Sequence, residues 1–280
     1  MGEKMKLSLI QMNSGSFDVK QNVDKAAKYV TEATKKGAEV IVIPEFFNTP
    51  YFCQYRDYKY MDYAERGDGY SISAMRDLAK TGKVYVVATI FEEEAAGLYF
   101  DTAFVIDPEG NIVGKFRKIH PSAVKGLEKI YFRPGNRFPI FEILGWKVGI
   151  MICYDFFFPE TARVTAVAGA ELILGPFATF AYAIWESMMR TRAYENGIYL
   201  APCNKVGPEG DYVFSGDSMV VSPMGVIEAR ASGSAEEILI TEIDRSVVFD
   251  ARRKLPIWRD RRPEVYKSIG IPEEMARGLI

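Results

Sequence analysis

Short, largely apolar runs constrain this chain more than any other feature: residues 39–43 (EVIVI), 84–90 (VYVVATI), 147–152 (KVGIMI), 171–174 (ELIL) and 198–202 (IYLAP). They are too short for buried helices and lack the polar alternation of a sheet with one wet side, so they read as strands covered on both faces. Segments with helical spacing lie between them and supply the cover. Residues 18–36 place Val19, Val23, Ala26, Ala27, Val30 and Ala33 on a helical period and stop at Gly37; 71–81 stop at Gly82, 159–168 at Gly169, and 183–195 at Asn196-Gly197. Further strands are expected over 6–12, over 99–107 and 112–116 about the turn Pro108-Glu109-Gly110-Asn111, and over 217–222, 226–229 and 237–243. Helices alternating with apolar strands imply an α/β sandwich, sheet inside and helices outside.

Composition narrows the organisation. Apolar residues make up 48 % and charged residues 26 %, with no linker-like or low-complexity stretch, so 1–280 reads as one well-cored domain, its Arg- and Pro-rich tail 254–280 forming a C-terminal arm. Net charge is −2 and the basic residues are dispersed, which argues against nucleic acid or an anionic membrane as partner. No apolar run approaches the roughly 20 residues that span a bilayer, and the N-terminus turns apolar only briefly, so a cytoplasmic protein is expected. Glutamine is scarce (Gln11, Gln21, Gln54) beside abundant Glu and Lys, a compositional hint of a thermophilic source.

Two residue types limit the chemistry. Cys53, Cys153 and Cys203 are far apart and without CxxC spacing, which disfavours a disulfide framework or a thiolate zinc site. His120 is the only histidine, so histidine-built metal sites are largely excluded and one candidate base remains for any Cys/His system. There is no P-loop, GxSxG or GxGxxG: GNIVGK at 110–115 has one residue too few between its glycines, and Phe116 stands where Ser or Thr would bind magnesium. Cys153 closes an apolar strand just before a helix expected at Pro159, a place where backbone N–H groups favour thiolate. Glu45 follows EVIVIP and Lys118 follows NIVGKFR, so three polar groups sit just beyond apolar strands, where α/β sheets gather functional side chains. Singly, each also reads blandly, as a loop carboxylate, a solvated lysine and a buried apolar thiol.

Together with ICYDFFFPE, Glu45, Lys118 and Cys153 resemble the Glu-Lys-Cys triad of the nitrilase superfamily, the carbon-nitrogen hydrolases. KLSLIQMN, RTRAYENGIYLAPCNKVG with Arg192 and Glu195, FSGDSMVVSPMG and LPIWRDRRPEVY extend the resemblance over nearly the whole chain. It implies a four-layer α-β-β-α sandwich with two central mixed sheets, no cofactor, no metal, and a homodimer or higher homo-oligomer built through 182–196 and the C-terminal arm. Cys153 is then the nucleophile, Glu45 the general base, and Lys118 with the Tyr154 N–H the oxyanion partners. GLEKIYFRPG at 126–135 resembles N-carbamoylputrescine amidase and N-carbamoyl-D-amino-acid hydrolase, and puts the family's second glutamate at Glu128, holding Lys118 in register. His120 is expected to support Lys118 rather than act as base, and Cys53 and Cys203 to pack, with Cys53 near enough to Glu45 in sequence to line the pocket.

The substrate is less constrained. Phe156 and Phe157 stand where N-carbamoyl-D-amino-acid hydrolases carry carboxylate-binding arginines, and Ala178 where many relatives have asparagine. Tyr51, Phe156, Phe157 and Phe177 are expected to form an aromatic substrate pocket. The expected substrate is a small molecule, a linear amide or N-carbamoyl compound, largely uncharged or aliphatic. Alternatives are a nitrilase reaction on the same triad and, from another class, a non-catalytic binding or scaffold member of the superfamily.

Overall fold

A computed structural model describes residues 4–180 and 182–276. In chain order the elements are β1 Lys4–Gln11, α1 Val19–Lys35, β2 Val40–Val42, α2 Tyr70–Gly82, β3 Tyr85–Ala95, β4 Leu98–Ile106, β5 Ile112–Arg117, α3 Glu128–Tyr131, β6 Phe141–Ile143, β7 Trp146–Ile150, α4 Pro159–Val167, β8 Leu172–Phe177, α5 Trp185–Asn196, β9 Tyr199–Asn204, β10 Val206–Glu209, β11 Tyr212–Ser215, β12 Met219–Val221, β13 Ile227–Arg230, β14 Glu237–Asp244 and α6 Arg245–Lys254. Two sheets form, ordered β14-β1-β2-β3-β4-β5 and β13-β12-β9-β8-β7-β6, with β10 and β11 as a separate hairpin. In each the middle is parallel, β1-β2-β3 and β7-β8-β9, and antiparallel strands extend both sides. The expected arrangement of two mixed sheets with helices around them is what forms.

Strand periodicity explains the layers. Leu7, Leu9, Val40, Val42, Val87, Ala103 and Val105 face a core shared with Val148, Ile150, Leu172 and Leu174 of the second sheet. Their neighbours Ile10, Ile41, Val86 and Ile90 face the opposite way, onto Val23, Ala26 and Val30 of α1 and Ile72 and Met75 of α2. This two-sided burial is why β2 needs no polar alternation. α1 begins where Asp18 caps it, its side chain accepting from the Lys20 N–H.

Sequence patterning missed the β10–β11 hairpin and β6. Both are short, and VGPEGDY in the hairpin reads as a loop because Gly207, Pro208 and Gly210 dilute its strand signal. Beyond α6 the tail proceeds in short helical turns, with Trp258 donating to the Asn196 carbonyl at 3.2 Å and Arg252 lying over its ring.

Leu9 is fully buried between the sheets, so Leu9→Ala should lower stability by about 2–5 kcal/mol, a loss that urea unfolding would measure. A loss under about 0.5 kcal/mol would mean the sheets do not meet there.

Candidate active site

The strand pairing brings distant residues to one end of the layer between the sheets. Ala103 pairs with Phe116 and Thr102 with Arg117, and the Lys118 N–H donates to the Asp101 carbonyl at 2.9 Å, so Asp101 and Lys118 stand opposite each other. By parity with Ala103, Val105 and Phe116, both side chains turn toward the second sheet. Glu45 arrives from beyond β2, Glu128 opens α3, and Cys153 lies three residues beyond β7.

Lys118 is the hub. Its ammonium lies 2.6 Å from Glu45 Oε1, 2.7 Å from Glu128 Oε2 and 3.3 Å from Asp101 Oδ2, and all four side chains are buried. Burial alone would push the Lys118 pKa down, but Glu128, Glu45 and Asp101 outweigh it and hold it well above the ordinary lysine value. Oxygens of the three carboxylates lie within 4.8 Å of one another, a spacing also seen around metal ions; here Lys118 is the cation among them. Glu128 is further fixed by the Ser122 N–H at 2.7 Å and by Tyr51, whose hydroxyl donates to Oε1 at 2.9 Å. A Cβ on Gly126 would sit 2.5 Å from that hydroxyl, so glycine is what lets Tyr51 reach Glu128.

Cys153 is almost fully buried and has φ +45°, a left-handed conformation that costs energy for a side-chain-bearing residue. Phe46, next to Glu45, is strained likewise at φ +52°, its ring held among Phe52 and Phe132. The Cys153 thiol contacts the Ala178 carbonyl at 3.8 Å. α4 starts at Pro159, where the sequence places it, and Cys153 opens a 3₁₀ turn over Cys153–Phe157 ahead of it, so the Tyr154 N–H, expected at the helix start, lies in that turn instead. The thiol is not poised as thiolate either: burial, then Glu45, push its pKa well above the usual value, with Lys118 only partly opposing.

Asp155 ties the turn to Lys118's flank. One oxygen accepts from the His120 N–H at 2.9 Å and lies 2.8 Å from His120 Nδ1, while the other accepts from the Ile152 N–H at 3.1 Å. His120 stacks on Phe158 at 3.8 Å. On the far side Lys205 and Glu209 form a fully buried pair at 2.8 Å; Lys205 also donates to Thr49 O, and Glu209 accepts from the N–H groups of Tyr51 and Ser14. That pair anchors the loop carrying Tyr51.

The structure thus brings together Glu45, Lys118, Glu128 and Tyr51, with Cys153 close enough for their charges to act on its thiol. Phe157 is half-buried against Tyr154 and Tyr182. Phe156 and Phe177 are fully buried, packing on each other at 4.6 Å, with Phe177 edge-on to Trp185. Cys53 is buried in the aromatic cluster with Tyr51, and Cys203 contacts the carbonyls of Ile10 and Val42 inside the core; all three cysteines are free. Unforeseen were Asp101, Asp155, the Lys205–Glu209 pair, and Phe180, Tyr212 and Phe214, which pack around Tyr51. Asp101 had a readable signal, a lone acid inside the otherwise apolar strand LYFDTAFVI.

Buried Glu45, Lys118 and Cys153 thus lie together at one end of a two-sheet sandwich. The carbon-nitrogen hydrolase family model matches residues 6–253. The chain is 36 % identical to omega-amidase NIT2-A of Xenopus laevis, over 94 % of this chain and 97 % of that protein. It is equally, 36 %, identical to a nitrilase of Pyrococcus abyssi, over 94 % and 99 %. A glutamate-to-glutamine variant of the amidase from Nesterenkonia sp. AN1, solved with the acetamide moiety of fluoroacetamide covalently added at its active-site cysteine, superposes with TM-score 0.79 at 26 % identity, over 94 % of this chain and 95 % of that one. This chain belongs to the carbon-nitrogen hydrolase family.

Because the Cys153 pKa is raised, its proton should stay on through neutral pH and leave only above 9.0, the ordinary value. Thiolate absorbance, taken as the difference between the native protein and Cys153→Ala, should therefore rise only in that alkaline range. A full thiolate signal at pH 7 would contradict the burial argument.

Proposed function

We propose that this chain is a cysteine amidase hydrolysing a linear amide on a largely uncharged or aliphatic small molecule. The observation that carries this reading is the buried Lys118 ammonium clasped between Glu45 at 2.6 Å and Glu128 at 2.7 Å beside the Cys153 thiol. With the thiol protonated, attack needs a base in place, and Glu45 takes that proton as sulfur bonds to the amide carbon. The carbonyl electrons move onto oxygen, where Lys118 and the Tyr154 N–H stabilise the charge. Glu45 then protonates the departing nitrogen, the C–N bond breaks, and a thioester remains. Water gives a proton to Glu45 and attacks the thioester; the C–S bond breaks, the acid leaves, and the thiol regains its proton. Glu128 acts by holding Lys118, and the cycle calls for no cofactor or metal.

The aromatic surround of Tyr51, Phe157, Tyr182 and Tyr212 supports an uncharged substrate, and Phe157 offers no guanidinium to a carboxylate. An N-carbamoyl compound would react by the same attack, giving an amine, carbon dioxide and ammonia; the support for it is the Glu128 segment. A nitrile is the second reading, supported by the Pyrococcus relative. Matched amide, carbamoyl and nitrile substrates with mass-resolved products would decide among them. The amide should turn over, and Cys153→Ala should lower kcat by at least about 10³-fold; full activity in that variant would refute the mechanism.

We also propose a homodimer through α4, α5 and the tail. Val164, Val167 and Tyr194 are exposed on these helices, as are Val265 and Ile269 beyond them, and half-buried Arg163 has an Nη1 without a hydrogen-bond partner among the described residues. Light scattering should give twice the chain mass or a multiple of that; a stable monomer would rule the dimer out.

A further inference from the structure

Asp101 is the one acid at this site that the proposed cycle leaves without a task. It comes from β4, directly across from Lys118, and its carboxyl group is buried. Lys118 is its nearest cation, at 3.3 Å, appreciably farther than from Glu45 or Glu128. Neither Asp101 oxygen has a hydrogen-bond partner among the described residues, and neither does Glu45 Oε2. Glu128, by contrast, accepts from Ser122 and Tyr51 and needs its lone pairs for both.

The charges and titratable groups facing Asp101 are Glu45 from beyond β2, Lys118 from beyond β5, Glu128 on α3, and the Cys53 thiol. Three ionised carboxylates against one ammonium would leave two negative charges uncompensated in a site closed to water. A proton on one carboxyl removes one of them. Asp101 and Glu45 Oε2 are the carboxyl atoms left without a donor, so a proton between these two satisfies both residues at once.

We propose that Asp101 is a positioning residue: it remains a neutral carboxylic acid at neutral pH and donates its hydrogen bond to Glu45, fixing the base between Asp101 and Lys118 with a lone pair left for the thiol proton. Burial foremost, then the Glu45 carboxylate, push the Asp101 pKa well above the usual range, consistent with that state. The effect on catalysis rests on Glu45 being the base; the protonation of Asp101 does not.

Infrared difference spectroscopy of the native protein against Asp101→Asn tests the protonation directly. The C=O band of a protonated carboxylic acid should be present at neutral pH in the native protein and gone from the variant. Asp101→Asn keeps a neutral donor, so kcat should stay within about tenfold of native, while Asp101→Leu should lose about 100-fold and move the acid limb of kcat/KM to higher pH. If no protonated-acid band disappears, or if Asn moves the acid limb as far as Leu does, the proposal is overturned. Should the leucine variant fail to fold, the infrared band and the asparagine profile still decide. If Glu45→Gln kept full activity the base assignment would fall, yet the Asp101 band would still report its protonation.

Discussion

The structure of this site depends on one buried ammonium. Lys118 lies where water cannot solvate it, and its charge is tolerable only because Glu45 and Glu128 bond it closely with Asp101 beside them. The reverse also holds: without Lys118 those acids would be buried like charges, a loss of several kcal/mol when one partner of a buried ion pair is removed. Each group is thus held in place by the others, and the Cys153 thiol sits in the field they create. Burial first, then Glu45, raises the thiol's pKa, so its activation is assigned to a base acting during attack.

The fold makes the cluster by topology. Lys118 and Asp101 meet because β4 and β5 pair antiparallel, while Glu45 and Cys153 come from the carboxyl ends of β2 and β7, parallel-paired strands of different sheets. Asp155 and the Lys205–Glu209 pair then lock the intervening loops, one across His120 and Ile152, the other onto Thr49 and Tyr51. Strain at Phe46 and Cys153 falls next to the two groups assigned to the chemistry, where surrounding packing can hold it.

Much of this was legible in the sequence, for physical reasons. Strands such as EVIVI declare two-sided burial by lacking polar alternation, and Gly37, Gly82, Gly169 and Gly197 mark helix ends. Glu45, Lys118, Glu128 and Cys153 could be picked out because their flanks resemble a family. Asp101 shows only as a lone acid within LYFDTAFVI and Asp155 only as one residue of ICYDFFFPE; their importance comes from what faces them across a ladder or a turn, and linear order does not hold register. Phe156 and Phe177 show the opposite limit, since aromatics beside a reactive residue look alike in sequence whatever they pack on, and here these two pack on each other. α4 begins at Pro159 as its sequence signals, but the 3₁₀ turn before it, which carries Tyr154, is not registered by hydrophobic pattern.

The most direct test of the central claim is the charge state of Lys118 itself, followed by nitrogen-15 NMR of the lysine side-chain ammonium groups, with Lys118→Arg to assign its signal. Clasped by Glu45 and Glu128, the Lys118 Nζ should keep all its protons beyond 10.5, the ordinary lysine pKa, while exposed lysines titrate. Loss of its proton near neutral pH would contradict the account, because the carboxylates would then not be gathered around a cation.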